Sequence, residues 1–170
     1  ITNKVYVANN GDNTVSVIDP LEKEVIKTIE VGNAPGTLLL DSDEMIWVIC
    51  GGGYDSEFNA LNDGKLVRLD PDKSEDESAN SVTTTIGVGT NFTAKAALNK
   101  TKDSIFFYRG KSVYAVGTSE TVAPSEALLR DGNAVSFYGI GIDPESDIIY
   151  LADSKNFAGN GTVYRYTTSG

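Results

Sequence analysis

Histidine is absent from this 170-residue chain, and the absence shapes every chemical reading of it. Without an imidazole no Ser-His-Asp or Cys-His arrangement can be assembled, and the commonest zinc ligand is missing. The single cysteine, Cys50, ends an apolar run with no base beside it, so it reads as packing, and no intrachain disulfide can form. Carboxylates are plentiful, 24 against 14 Lys and Arg for a net charge of −10. Half of them solvate turns between apolar segments: Glu22, Glu24, Asp41, Asp43, Glu44, Asp72, Glu75, Asp76, Glu77, Asp143, Glu145 and Asp147. The candidates for paired acid/base work fall in turns at opposite ends of the expected strands, so the chain reads as a non-enzyme. Asp153-Ser154-Lys155-Asn156-Phe157-Ala158-Gly159-Asn160-Gly161 offers oxygen atoms at intervals, but it lacks the Asp-rich spacing and terminal Glu of a calcium-binding EF-hand and carries Lys155, so a plain turn is expected. Gly51-Gly52-Gly53 follows a strand as phosphate-binding loops do, yet no helix follows to supply the dipole. No metal and no cofactor is expected. The negative charge also excludes a non-specific nucleic-acid binder, and no apolar run of about 18 residues could span a membrane.

What remains is recognition chemistry: aromatic rings and an arginine in places where loops are expected. Those places follow from a repeat. Lys4-Val5-Tyr6-Val7-Ala8-Asn9, Thr14-Val15-Ser16-Val17-Ile18-Asp19-Pro20 and Val25-Ile26-Lys27-Thr28-Ile29-Glu30-Val31-Gly32 form three alternating strands separated by Gly, Asn and charged turns. The order returns as Ile46-Trp47-Val48-Ile49-Cys50, Lys65-Leu66-Val67-Arg68-Leu69 and Thr84-Thr85-Ile86-Gly87-Val88-Gly89. It returns again as Ile105-Phe106-Phe107-Tyr108 with Ser112-Val113-Tyr114-Ala115-Val116, and as Ile149-Tyr150-Leu151-Ala152-Asp153 with Thr162-Val163-Tyr164-Arg165-Tyr166. Taking Tyr6, Trp47, Phe106 and Tyr150 as equivalent, the spacings are 41, 59 and 44 residues.

A period of about 40 to 45 residues with several short strands per unit marks a β-propeller, one four-stranded blade per unit. The fold class is all-β, since no window holds apolar residues at helical spacing. One domain is expected, with units at about 1–35, 36–90, 91–135 and 136–170. Gly36-Thr37-Leu38-Leu39-Leu40, residues 93–98 and Gly139-Ile140-Gly141-Ile142 are the expected innermost strands, and Ala127-Leu128-Leu129 the last strand of the third unit. The first unit lacks an innermost strand and the last an outermost one. About four blades of a larger ring of seven or eight are therefore expected, with raw edges that favour self-association. Residues 72–81, acidic and Ser-rich, read as a solvated turn without reason for order.

In such a ring the loops between second and third strands, and those joining one unit to the next, emerge on one face. That face receives Tyr54 and Phe58 from a 14-residue loop, Asn91 and Phe92, Arg109 and Lys111, Phe137 and Tyr138, and Lys155, Asn156 and Phe157. The opposite face receives short acidic turns. Aromatic and Arg side chains on one face make a recognition surface, and Tyr54, Phe58, Phe92, Arg109, Tyr138 and Phe157 are the expected ligand-binding residues.

Val5-Tyr6-Val7-Ala8-Asn9, Asn13-Thr14-Val15-Ser16-Val17-Ile18-Asp19-Pro20 and Ile29-Glu30-Val31-Gly32-Asn33-Ala34-Pro35-Gly36 resemble the YVTN-type β-propeller repeat, with Ala8 where that repeat has Thr. The longer pattern of the Trp47 strand, Gly51-Gly52-Gly53-Tyr54, Leu66-Val67-Arg68-Leu69-Asp70 and Tyr138-Gly139-Ile140-Gly141-Ile142-Asp143-Pro144 is similar to the C-terminal half of secreted propeller lipoproteins of Bacteroidetes. The resemblance implies a cell-surface or periplasmic protein. It also implies a non-catalytic module that binds a small molecule such as a corrinoid, or a partner protein such as an outer-membrane transporter. A structural or adhesive surface protein, and a propeller hydrolase or lyase, are the alternatives it leaves.

Overall fold

Alternation of apolar residues along the second strand of each unit decides the architecture. The computed structural model describes residues 3–74, 76, 78–90 and 92–169, apart from the side chain of Thr93; Asn91, Glu75 and Glu77, named above, lie outside the described residues. The described chain is all-β, with fourteen strands in four antiparallel sheets and only two short 3-10 turns. The first sheet is β1 (Val5–Asn9), β2 (Thr14–Asp19) and β3 (Glu24–Glu30). The second is β4 (Pro35–Leu40), β5 (Ile46–Cys50), β6 (Gly64–Leu69) and β7 (Val82–Gly89). The third is β8 (Phe92–Leu98), β9 (Ser104–Arg109), β10 (Ser112–Gly117) and β11 (Leu129–Arg130). The fourth is β12 (Phe137–Ile142), β13 (Ile148–Asp153) and β14 (Thr162–Thr167). In every sheet, strands lie in chain order, each paired with its predecessor.

The sheets stack face to face in sequence. Ile46, Val48 and Cys50 of β5 pack with Val15, Val17 and Ile29 of the first sheet. Trp47 and Ile49, pointing the other way, pack with Phe92, Ile105 and Phe107 of the third. On β9 the alternation repeats, since Ile105 and Phe107 face the second sheet while Phe106 and Tyr108 join Phe137, Ile149 and Leu151 of the fourth. A strand that alternates between two cores has no polar face, which is why all five residues of β5 are buried. The first strands β4, β8 and β12 run beside one another, whereas the outer strands of neighbouring sheets diverge.

Four readings of the sequence need correction. The apolar run Leu38-Leu39-Leu40 suggested the most buried strand, but all three leucines are half-buried, lining a groove with Lys4, Tyr6 and Ile46. Burial peaks instead on β5 and β9, which have a sheet against each face and a strand on each edge. The last strand of the third sheet is Leu129–Arg130, two residues further on than the apolar triplet indicated, and pairs only with Ser112 and Val113. Each first strand also starts earlier than its apolar run, so Phe137 and Tyr138 lie in β12 rather than before it. The described residues of the acidic insertion are held from outside it. Lys27 Nζ donates to the carbonyls of Lys73, Asp76 and Ala79, Ser74 and Ser81 are buried, and the Tyr6 and Ser74 hydroxyls share a hydrogen bond at 2.5 Å.

Asp41, in the turn after β4, is buried among polar partners. One carboxylate oxygen accepts from Trp47 Nε1 at 2.8 Å and from Arg68 Nη2 at 3.1 Å, and the other from the backbone of Asp43 and Met45. Arg68 lies over the Trp47 ring at 5.8 Å, so one carboxylate anchors the largest core side chain and its cation. Cys50 is fully buried against Gly32, and burial pushes its thiol up to about 11, in keeping with a packing role. Asp41→Ala is expected to cost about 3 kcal/mol, because the Arg68 charge and the Trp47 N–H would both be left without their acceptor. Urea unfolding followed by Trp fluorescence measures it; a loss within about 0.5 kcal/mol of zero would show that solvent replaces the carboxylate.

Candidate functional site

Hydrogen bonds between connections show which loops share an end of the molecule. Gly51 and Gly52, leaving β5, donate to the carbonyls of Ala34 and Asn33, which precede β4. Phe137 donates to Gly110, Asp131 to Lys111, and Ser154 to Ser136, so the loops after β9 and β13 are likewise tied to the segment entering β12. At the other end the acidic turns bond to one another, Ser42 N to the Lys102 carbonyl and Lys100 N to Asp147. The two sets of connections therefore lie at opposite ends of the stack, as antiparallel strands in chain order require.

The same irregularity opens each first strand. Register shifts occur between Pro35 and Thr37, between Phe92 and Ala96, and between Phe137 and Gly139. A bulge inserts a residue and re-aims the side chains around it, which is how strands commonly present groups beside a site. At β12 the consequence is visible: Phe137 is buried against Tyr108, while its neighbour Tyr138 is half exposed.

Between these loops lie two adjoining clefts that share Tyr54 as a wall. One, of about 470 Å³, is lined by Asn10, Gly53, Phe58, Ala94, Lys95 and Tyr138 among others. The other, of about 650 Å³, is lined by Thr90, Tyr108, Arg109, Gly110, Tyr114 and Ser136 among others. Around the first, Lys95 Nζ sits 3.9 Å over the Tyr138 ring and donates to the Tyr138 carbonyl at 2.7 Å, and Phe157 meets the same ring edge to face at 5.1 Å. A cation held against an aromatic face is itself a polarised surface for ligands.

The long loop that delivers Tyr54 and Phe58 folds on itself. Tyr54 bridges Ala60, Leu61 N donates to the Gly53 carbonyl, and the Asp55 carboxylate accepts from Glu57 N, Asn59 N and Asn59 Nδ2. The Asn59 bonds hold the Asp55 carboxyl below its ordinary value. Gly52 has φ +85° and a Cβ there would lie 2.2 Å from the Asn62 carbonyl oxygen, so the triglycine serves a tight return of the chain.

Of the six expected binding residues the structure brings five to this end with exposed or partly exposed surface. Phe58 and Phe157 are 86% and 74% exposed, both at left-handed φ (63° and 58°), a conformation costly for a bulky residue. Tyr54, Tyr138 and Arg109 are partly exposed on the cleft walls. Phe92 is the correction. It is 0% exposed, its ring packed on Gly64, where a Cβ would meet it at 2.5 Å, and edge to face on Phe107 at 5.5 Å. Phe92 thus supports the first cleft from beneath and offers a ligand no surface. Lys95, Tyr114 and Ser136 were missed, because each lies inside a strand or a small-residue segment that gives no local sign of facing a cleft.

The Asp153 carboxylate ties its loop together. The Asp153 side chain is fully buried and its oxygens accept from Val135 N, Ser136 N, Lys155 N and, at 2.8 Å, Lys155 Nζ. Burial opposes ionisation, but the Lys155 bond and the three backbone donors outweigh it and hold the carboxyl far below the usual range. Lys155 in turn reaches the Tyr164 hydroxyl at 3.0 Å and is raised, first through Asp153. Lys155, Asn156 and Phe157 all take left-handed φ, so the turn that exposes Phe157 is sustained by this buried ion pair.

No protein-family model and no curated protein matches the chain. A solved structure does. The chain is similar to Kuenenia stuttgartiensis hydrazine synthase, with a TM-score of 0.72 at 16% sequence identity, over 97% of this chain and 48% of that one. It spans about half the length of that solved chain, and at this identity the likeness shows the fold alone.

A depressed carboxyl stabilises the fold above its unfolded value, and the contribution is lost as pH falls through the folded one. Asp153→Asn is therefore expected to lower stability at pH 7, with the gap to the parent closing progressively below about pH 4, where the unfolded Asp begins to protonate. Urea midpoints at a series of pH values test this; a gap that stays constant down to pH 2 would mean the ion pair contributes nothing specific.

Proposed function

We propose that the protein is a non-catalytic binding module whose loop end, around Tyr54, takes up a small molecule. The observation that supports it most is the pair of adjoining clefts walled by Tyr54, with exposed Phe58, Tyr138 and Phe157 at their rims and strained backbone beneath two of the four. Large rings on a rigid frame supply contact area with little entropy to lose, and strained exposed aromatics are retained where they serve recognition. A ligand with planar or apolar surface suits these walls, and a corrinoid is one such molecule. The expected placement is extracytoplasmic, as the resemblance to secreted propeller lipoproteins implies, and the Trp47 strand, Gly51-Gly52-Gly53-Tyr54 and residues 66–70 and 138–144 carry that resemblance.

The four sheets read as a sector of a larger seven- or eight-bladed β-propeller. Support comes from the face-to-face stacking in chain order, the approach of the first strands, and the two end faces. Val5, Val7 and Val25 on the first sheet and Tyr150 and Val163 on the fourth are exposed apolar residues on sheets whose other face is a core. Further sheets of the same kind are the proposed cover, whether from a longer chain or a second copy.

Two experiments test these readings. Light scattering on the isolated 170-residue chain is expected to show a dimer or higher species as the end faces find each other; a monomer across a hundredfold concentration range would count against the sector. Thermal-shift screening against corrinoids, glycans and peptides, followed by Tyr54→Ala and Tyr138→Ala, is expected to show unchanged melting and about 2 kcal/mol less binding energy for each variant. If both variants bind like the parent while Asp143→Ala weakens binding, the ligand uses the acidic end instead.

A further inference from the structure

We propose that the Arg109 side of the paired clefts binds an anionic group of the ligand, a carboxylate or a phosphate, while the apolar body lies on the Tyr54, Phe58 and Tyr138 side. The proposal rests on the reading of this loop end as a binding surface and specifies its ligand class. Arg109 ends β9, and its guanidinium lies 4.2 Å over the Tyr114 ring, itself stacked on Phe107 at 5.4 Å, so the cation sits at the top of an aromatic column. Nη1 donates to the Val88 carbonyl at 2.8 Å. Gly89 makes room for it, since a Cβ there would lie 2.8 Å from Nη1.

Nothing negative answers this cation. Nε is buried with no hydrogen-bond partner, and no described carboxylate forms an ion pair with the guanidinium, in contrast to Arg68, which is held by Asp41 and Asp43. The residues lining the two clefts include Arg109 and Lys95 but no Asp or Glu, in a chain with ten more acidic than basic residues. Of the nearby carboxylates, Asp153, whose oxygens hold Ser136 N, is neutralised by Lys155, and Asp55 is turned into its own loop. A guanidinium stays charged at every accessible pH, and leaving one partly desolvated without a counter-charge is costly. A planar, two-oxygen anion relieves that cost best, because it matches the guanidinium fork. The Thr90, Ser136 and Tyr114 hydroxyl-bearing residues on the same walls suit its remaining lone pairs.

The test uses three probes with one ring each: phenyl phosphate, benzoate and the uncharged benzyl alcohol. Each is titrated into the ¹⁵N-labelled chain while the Arg109 Nε–Hε signal and the amides of Tyr54, Gly110, Ser136 and Tyr138 are followed. Both anions are expected to shift Nε–Hε saturably and the alcohol to leave it in place, with binding weakened on raising salt from about 0.02 to about 0.5 M. The tighter of the two anions identifies the group. Arg109→Gln is expected to lose about tenfold or more in affinity for the anions, and Arg109→Lys to recover part of it. If Arg109→Gln does not fold, the Nε–Hε shift in the parent decides alone. An Nε–Hε signal unmoved by both anions, or moved equally by the alcohol, overturns the proposal. If the alcohol still perturbs Tyr54 and Tyr138 in that case, the aromatic binding surface stands without its anion site; if no probe perturbs either cleft, both readings fall.

Discussion

Every sheet inside the stack must be apolar on both faces, and this one constraint sets the rest of the structure. A strand that alternates between two cores needs β-branched or aromatic residues at successive positions, and Ile46, Trp47, Val48, Ile49 and Cys50 meet it on β5, as Ile105, Phe106, Phe107 and Tyr108 do on β9. Polar atoms that enter such a layer must bring partners. Trp47 does so through Asp41, which also receives Arg68, so a single carboxylate satisfies the N–H of the largest core side chain and the cation above it. The first strands are less buried than their leucines suggest because each lies at the edge of its sheet, paired with a strand on one side only.

Once the layers are fixed, the connections have no freedom over which end they occupy. Antiparallel strands in chain order send alternate loops to opposite ends, and the chain uses the two ends differently. Carboxylates gather in the turns before β5, β9 and β13, where they bond to backbone donors and to each other's loops. Exposed rings gather at the other end, where Arg109 and Lys95 line the two clefts.

Rigidity beneath and strain above characterise that end. The floor is made by two ring pairs, Phe92 on Phe107 and Tyr108 on Phe137, and Phe92 and Phe137 themselves open the bulged strands β8 and β12. Above it, Phe58 and Phe157 are held exposed at positive φ by polar frameworks of their own, the Asp55 turn and the buried Asp153 to Lys155 pair. An exposed ring kept in a costly backbone conformation has lost in advance much of the freedom that binding would take from it.

The strand order, the four units and the all-β class were determined by the sequence alone, because alternation and turn residues are local: each strand announces itself within about six positions, and Gly, Asn, Asp and Pro punctuate the rest. The ends of the loops were legible for the same reason, since antiparallel order follows once the strands are known. Burial was not. Phe92 and Phe137 open β8 and β12 at equivalent register positions and both are buried, Phe92 over Gly64 of the preceding sheet, while Tyr138, the next residue at the β12 bulge, is turned outward. Likewise residues 72–81 look unsupported until Lys27, about 50 positions earlier, is found donating to their carbonyls. Only the tertiary structure decides such cases, because whether a side chain meets solvent, a ring or a charge depends on residues one whole sheet away, and nothing in its own neighbourhood encodes them.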